Sequence, residues 1–129
     1  MKIERRKSEF AEIELKDNIV YVVYKDMSII TIEEAKIVAK DTVDICNNIP
    51  RGLIINGTGI SIQMNNEARN YFATNEDYIY IGKAIAIVIT NTASMLLAKF
   101  YIKYHKPVRP TKIFSKLSEA EDWLKDNFS

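Results

Sequence analysis

The amino-acid sequence predicts an α/β fold: a mixed five-stranded sheet with about four helices, in the order β-β-α-β-α-β-α-β-α. Three observations carry this. Apolar and polar side chains alternate from Phe10 to Lys16, and a second extended run follows from Ile19 to Tyr24. Two short continuous apolar runs, Leu53-Ile54-Ile55 and Ala84-Ile85-Ala86-Ile87-Val88-Ile89, have the character of strands covered on both faces. The segments around these strands repeat apolar residues at helical spacing and begin with side chains suited to capping.

Taken in order, Ala11, Ile13 and Leu15 alternate with Glu12, Glu14 and Lys16, and the polar pair Asp17-Asn18 turns the chain into Ile19–Tyr24. That is a hairpin. Thr31-Ile32-Glu33-Glu34 has the form of a capping box, and Ala35, Val38, Ala39, Thr42, Val43, Cys46 and Ile49 follow at helical spacing until Pro50 and Gly52, so the first helix is placed at about 32–48. Leu53–Asn56 is a central strand, and a second helix starts at Asn65 or Asn66, either of which suits a cap. Ala84–Thr90 is the strongest buried-strand signal. Thr92 is expected to cap a third helix whose stripe of Ala93, Leu96, Leu97, Phe100, Tyr101 and Tyr104 faces the sheet, and Pro107 ends it. A last strand at Lys112–Ser115 leads to a closing helix in which Ser118 and Glu121 form a second capping box. Strand–helix alternation implies right-handed crossovers and a sheet mostly parallel beyond the hairpin, with one antiparallel edge.

At 129 residues, with 47% apolar and 27% charged residues, the chain 1–129 is expected to fold as a single domain. Eighteen cations against 17 acids leave a net charge of +1, so the whole molecule offers no general attraction to nucleic acid. One cysteine and one histidine make a cysteine-rich metal site and an internal disulfide unavailable, and no metal or other cofactor is expected. The basic start, Lys2 to Lys7, lacks the apolar core of a signal peptide, and no apolar run approaches the ~20 residues of a spanning helix. A cytoplasmic location is expected.

On these features the chain resembles the STAS superfamily, and within it the SpoIIAA-like branch of bacterial proteins. The resemblance rests on the element order, on Thr31-Ile32-Glu33-Glu34-Ala35, on Ala84-Ile85-Ala86-Ile87-Val88, and on Lys112-Ile113-Phe114 followed by Glu119-Ala120-Glu121-Asp122-Trp123-Leu124. It implies a single STAS-like domain that regulates by contact with other proteins, as a homodimer or with a partner. The phosphoswitch motif of that family is degraded here: Asn56 stands at the strand end and Thr58 in the loop, but Met64-Asn65-Asn66-Glu67 offers no acceptor hydroxyl at the helix start.

Several residue groups are candidates for contact. Asn56, Thr58, Ser61, Asn65 and Asn66 gather near a helix N-terminus where an anion or a partner could bind, and they are also the residues that turns and caps favour. If Tyr78-Ile79-Tyr80-Ile81 is extended, Tyr78 and Tyr80 share a face and could form an interface. Should the third helix lift from the sheet, Leu96, Leu97, Phe100 and Tyr101 would line a gap for a small apolar ligand or lipid. Lys99, Lys103, Lys106, Arg109 and Lys112 form a local basic stretch, which is either a solvated face or a contact for an anionic membrane surface. No nucleophile elbow, Walker loop or paired-ligand spacing is present, so an enzyme is not expected.

Overall fold

A computed structural model of the chain describes residues 4–129. Strands β2 (Ala11–Lys16) and β3 (Ile19–Tyr24) form the expected hairpin, and Asp17 and Asn18 take φ of 53° and 65°, the left-handed pair that a two-residue turn needs. Three strands lie outside the sequence expectation, one of them in the main sheet. β1 (Glu4–Lys7) pairs antiparallel with β2, each residue from Glu4 to Lys7 opposite one from Leu15 back to Glu12. Its sequence, Glu-Arg-Arg-Lys, lacks an apolar face, with Arg5, Arg6 and Lys7 exposed, and the alternation that marks a half-buried strand is therefore missing.

The main sheet has six strands in the order β1-β2-β3-β5-β7-β8, where β5 is Arg51–Gly57, β7 is Gly82–Ile89 and β8 is Thr111–Phe114. Pairing is antiparallel from β1 to β3 and parallel from β3 to β8, the mixed arrangement that the element order implies. A small parallel pair, β4 (Ile29–Ile30) and β6 (Gln63–Met64), ties together the loops beyond β3 and β5.

Helix α1 (Ile32–Cys46) begins at Thr31, whose backbone amide and hydroxyl both donate to the Glu34 carboxylate at 3.4 and 2.9 Å. It ends where Asn47 enters the left-handed region at φ 52°, which releases Ile49 to solvent instead of the core. Its buried stripe, Ala35, Val38, Ala39, Thr42, Ile45 and Cys46, packs with Ile13, Val20, Val22 and Leu53, together with α2 (Asn66–Thr74) and α3 (Glu76–Ile81). The opposite face of the sheet is covered by α5 (Leu117–Phe128) alone: Ala120 and Leu124 meet Ile19, Ile54, Ala86, Val88 and Phe114. A Cβ on Gly52 would lie 3.0 Å from the Leu124 side chain, so α5 sits close upon β5.

Two caps differ from expectation. The α5 cap lies two residues earlier than expected, at Lys116, so Ser118 lies inside the first turn; Glu121 instead accepts a hydrogen bond from the Tyr21 hydroxyl across on β3. The third expected helix, here α4 (Thr92–His105), is capped by Asn91, whose side-chain oxygen accepts from the Ser94 amide at 3.0 Å, and Thr92 is its first residue.

Candidate functional site

α4 is the element whose placement departs most from its sequence pattern. It connects β7 to β8 and packs against both, yet none of its described residues is buried. Ser94, Met95, Ala98, Tyr101 and Ile102 are half-buried, whereas Leu96, Leu97, Phe100 and Tyr104 are between 59% and 64% exposed. The stripe expected to face the sheet therefore faces outward. α4 carries apolar residues on both sides, and a four-residue edge strand such as β8 is too narrow to cover both. In consequence Leu96, Leu97 and Phe100 do not line a gap beneath the helix; of that group only Tyr101 is turned partly inward.

The outward face is dense. The Phe100 and Tyr104 rings lie 4.3 Å apart, the Lys103 ammonium is 5.7 Å from the Tyr104 ring, and exposed Val108 follows in the connector after the helix. Lys99, Lys103 and Lys106 are exposed beside it. Lys106 closes the helix at φ 43°, its amide donating to the Ile102 carbonyl.

Arg109 fastens the connector that follows. Its Nη1 donates to the carbonyls of Tyr78 and Gly82 at 3.2 and 3.3 Å, and its guanidinium lies 5.2 Å from the Tyr78 ring centre. These carbonyls belong to the last turn and cap of α3, where the Tyr78 carbonyl also accepts from the Gly82 amide and the helix dipole favours a cation. Gly82 leaves the room: a Cβ there would come within 2.8 Å of the guanidinium and of Leu53. Nε is buried without a hydrogen-bond partner among the described residues, and burial pushes the guanidinium pKa down.

Tyr78 is part of this clamp and is 5% exposed, while Tyr80 is 56% exposed. They do not form a shared face. Asn75 caps α3 by accepting from the Tyr78 amide at 2.9 Å, and residues two apart on a helix point about 200° from one another. The Tyr78 ring packs at 5.1 Å against Phe72, tilted by 53°, and burial, outweighing the nearby Arg109, pushes its phenol up to about 12.

The polar candidates fall into three locally bonded sets. Asn56 accepts from the Thr58 amide and hydroxyl at 3.1 and 2.7 Å, an Asx turn at the end of β5. The Ser61 amide donates to Asp26 at 2.8 Å, joining the loop before α2 to the one after β3. Asn65 caps α2 by accepting from the Ala68 amide at 2.9 Å, and Asn66 accepts from Arg69 at 3.4 Å. The cap oxygen of Asn65 thus occupies one of the amides that an anion at this N-terminus would use. Cys46 is buried and its thiol is pushed up to about 11 by burial, with Arg51 opposing; it behaves as a small apolar core residue. Lys2 lies outside the described residues, as does the side chain of His105.

On the α5 side, the half of the sheet made by β1 and β2 is open, and β3 is only partly covered, its Ile19 and Tyr21 meeting α5. An open cleft of about 380 Å³ runs between it and α5, lined by Glu12, Glu14, Lys16, Tyr21 and Glu121 among others. Arg5 and Glu14 pair at 3.0 Å across β1 and β2 beside it.

Residues 13–127 match the family described as Domain of unknown function (DUF7793). The chain belongs to the DUF7793 family. No curated protein matches it. Among solved structures, the DUF7793 chain is similar to an uncharacterised protein of the DUF3478 family from Shewanella loihica PV-4 with a SpoIIAA-like fold. The TM-score is 0.60 at 16% identity, over 95% of this chain and 93% of that one. The SpoIIAA-like fold implied by the sequence is therefore the fold of the DUF7793 chain. In it, Arg109 of the basic stretch is turned to Gly82, a partnership the sequence does not display because it spans 27 residues. Val108 between two prolines was a visible signal, since a lone apolar residue in a stiff connector has no strand or helix to bury it.

Proposed function

We propose that the protein is a non-enzymatic interaction module of the cytoplasm that works by docking the outward face of α4 onto a partner surface, protein or membrane. The observation that carries this reading is the run of Leu96, Leu97, Phe100 and Tyr104, continued by Val108, standing exposed on one helix. Contiguous exposed apolar surface costs solubility and is kept chiefly where something covers it. Other exposed apolar residues, such as Met27, Ile29 and Ile49, lie on different elements. The titratable groups with shifted protonation, Tyr21, Tyr24, Cys46, Tyr78 and Arg109, owe their shifts first to burial, and their positions serve packing and caps. A small-ligand role beneath α4 has less support, because the side chains that would line its site point the other way.

A photo-crosslinking amino acid at Phe100, compared in living cells with the same group at exposed Glu67 on α2, tests the reading. Discrete adducts from position 100 and none from position 67 are expected. Equal labelling at the two positions, or none at Phe100, refutes it.

A further inference from the structure

Resting on the reading of α4 as the docking surface, we infer that its occupant is an anionic lipid surface. Between Asn91 and Ser118 the chain holds Lys99, Lys103, Lys106, Arg109, Lys112 and Lys116 and no acidic residue. Taking these six from 18 cations leaves 12 against 17 acids, so a +6 segment sits in a chain whose remainder carries −5. The near-neutral total conceals a polarised molecule. Not all six cations serve the face: Arg109 is turned to the α3 carbonyls, Lys112 lies over Phe114, on the side of α5, and Lys116 is the N-cap of α5. Lys99, Lys103 and Lys106 remain exposed around the apolar stripe.

An exposed apolar stripe of Leu and aromatic residues bordered by lysines, on a helix with no acidic residue, is the pattern that lies in the plane of a membrane interface. The lysines would reach phosphate and carboxylate headgroups while Leu96, Leu97 and Phe100 enter the acyl boundary and Tyr104 keeps its hydroxyl at headgroup level. A second copy fits less well, since two α4 faces brought together would oppose their lysines. The face is also convex, a single helix turned outward, and a bilayer accepts such a surface without a preformed groove. Each lysine near an anionic membrane favours binding by roughly fivefold.

The full chain, cosedimented with phosphatidylcholine vesicles with and without phosphatidylserine, tests this. Expected are binding to the anionic vesicles, weaker by tens of fold on phosphatidylcholine alone, and loss of binding in high salt. Both Leu97→Asp/Phe100→Asp and Lys99→Glu/Lys103→Glu should abolish it; because all four side chains are exposed, unchanged circular dichroism is expected in each. Equal binding to both vesicle types, no binding to either, or wild-type binding by the variants overturns the proposal. Protein adducts from position 100 in cells without vesicle binding, or a dimer in solution that the Leu97→Asp/Phe100→Asp variant dissolves, would overturn the lipid assignment and leave the docking surface standing; no adduct of any kind would remove both.

Discussion

Arg109 shows how a single side chain can position an element it does not belong to. It sits on the connector between α4 and β8, but its hydrogen bonds close the end of α3 and its charge rests against Tyr78. Arg109→Ala should destabilise the fold by about 2 kcal/mol in urea unfolding, the range for hydrogen bonds made by a charged donor. Arg109→Lys should recover little of this, since an ammonium does not reproduce the planar fork. Gly82→Ala should be damaging for the complementary reason: its methyl would meet both the guanidinium and Leu53. Alkaline pH acts on other residues. Cys46 titrates near 11 in the fold against an ordinary 9.0, and Tyr78 near 12 against 10.0. A folded pKa above the unfolded one gives stability that is complete below the unfolded value and disappears as pH rises through the folded value. Melting temperature should therefore hold from neutral pH to about 9 and decline above it, and Cys46→Ala should delay the onset of the decline.

At the scale of elements, the strands and helices with regular patterns were legible. The Asp17-Asn18 turn, the Thr31 start of α1 and the buried run of β7 needed only local chemistry. α3 was hidden because Tyr78-Ile79-Tyr80-Ile81 alternates as a strand would, and six residues are too few for helical periodicity to contradict it. The cap of α5 was misplaced for a different reason: Ser118 and Glu121 have the right spacing, but Tyr21 on β3 claims the Glu121 carboxylate. For α4 the helix itself was evident and its orientation was not, since apolar side chains occupy both of its sides and only the tertiary arrangement decides which pair with β7 and β8. Leu97→Asp and Phe100→Asp should each change unfolding free energy by no more than about 0.5 kcal/mol, as exposed substitutions do. Met95→Asp and Ile102→Asp, on the half-buried side, should cost about 1–3 kcal/mol for an unpaired polar group pressed against the sheet. Amide exchange in α4 should also be faster than in α1, because α1 buries six residues and α4 has none buried among those described.

For the whole molecule, the informative contrast is between its two uncovered surfaces. The open half of the sheet over β1 and β2 carries Glu12, Glu14, Lys16 and Arg5, with an ion pair between Arg5 and Glu14, so the apolar Val23 and Tyr21 of the neighbouring β3 sit among charges of both signs. α4 instead presents Leu96, Leu97, Phe100 and Tyr104. The first surface mixes charges of both signs, whereas the second sets a run of apolar side chains beside lysines alone. The candidate polar residues Asn56, Thr58, Ser61, Asn65 and Asn66 were legible in the sequence, and their bonds go to turns, loops and a helix cap. The docking face was legible only as a list of residues, because exposure is a property of the assembled fold. No helix among the described residues is long and apolar enough to cross a membrane, so contact through α4 would be lateral.

The most direct test of this account is methyl NMR of the purified chain with a soluble paramagnetic agent. Broadening of the Leu96 and Leu97 methyl signals well beyond those of Met95 and Ile102 is the result predicted for an outward stripe. Protection of Leu96 and Leu97 with broadening of Met95 and Ile102 would contradict it, placing the stripe against the sheet and removing the surface on which the function rests.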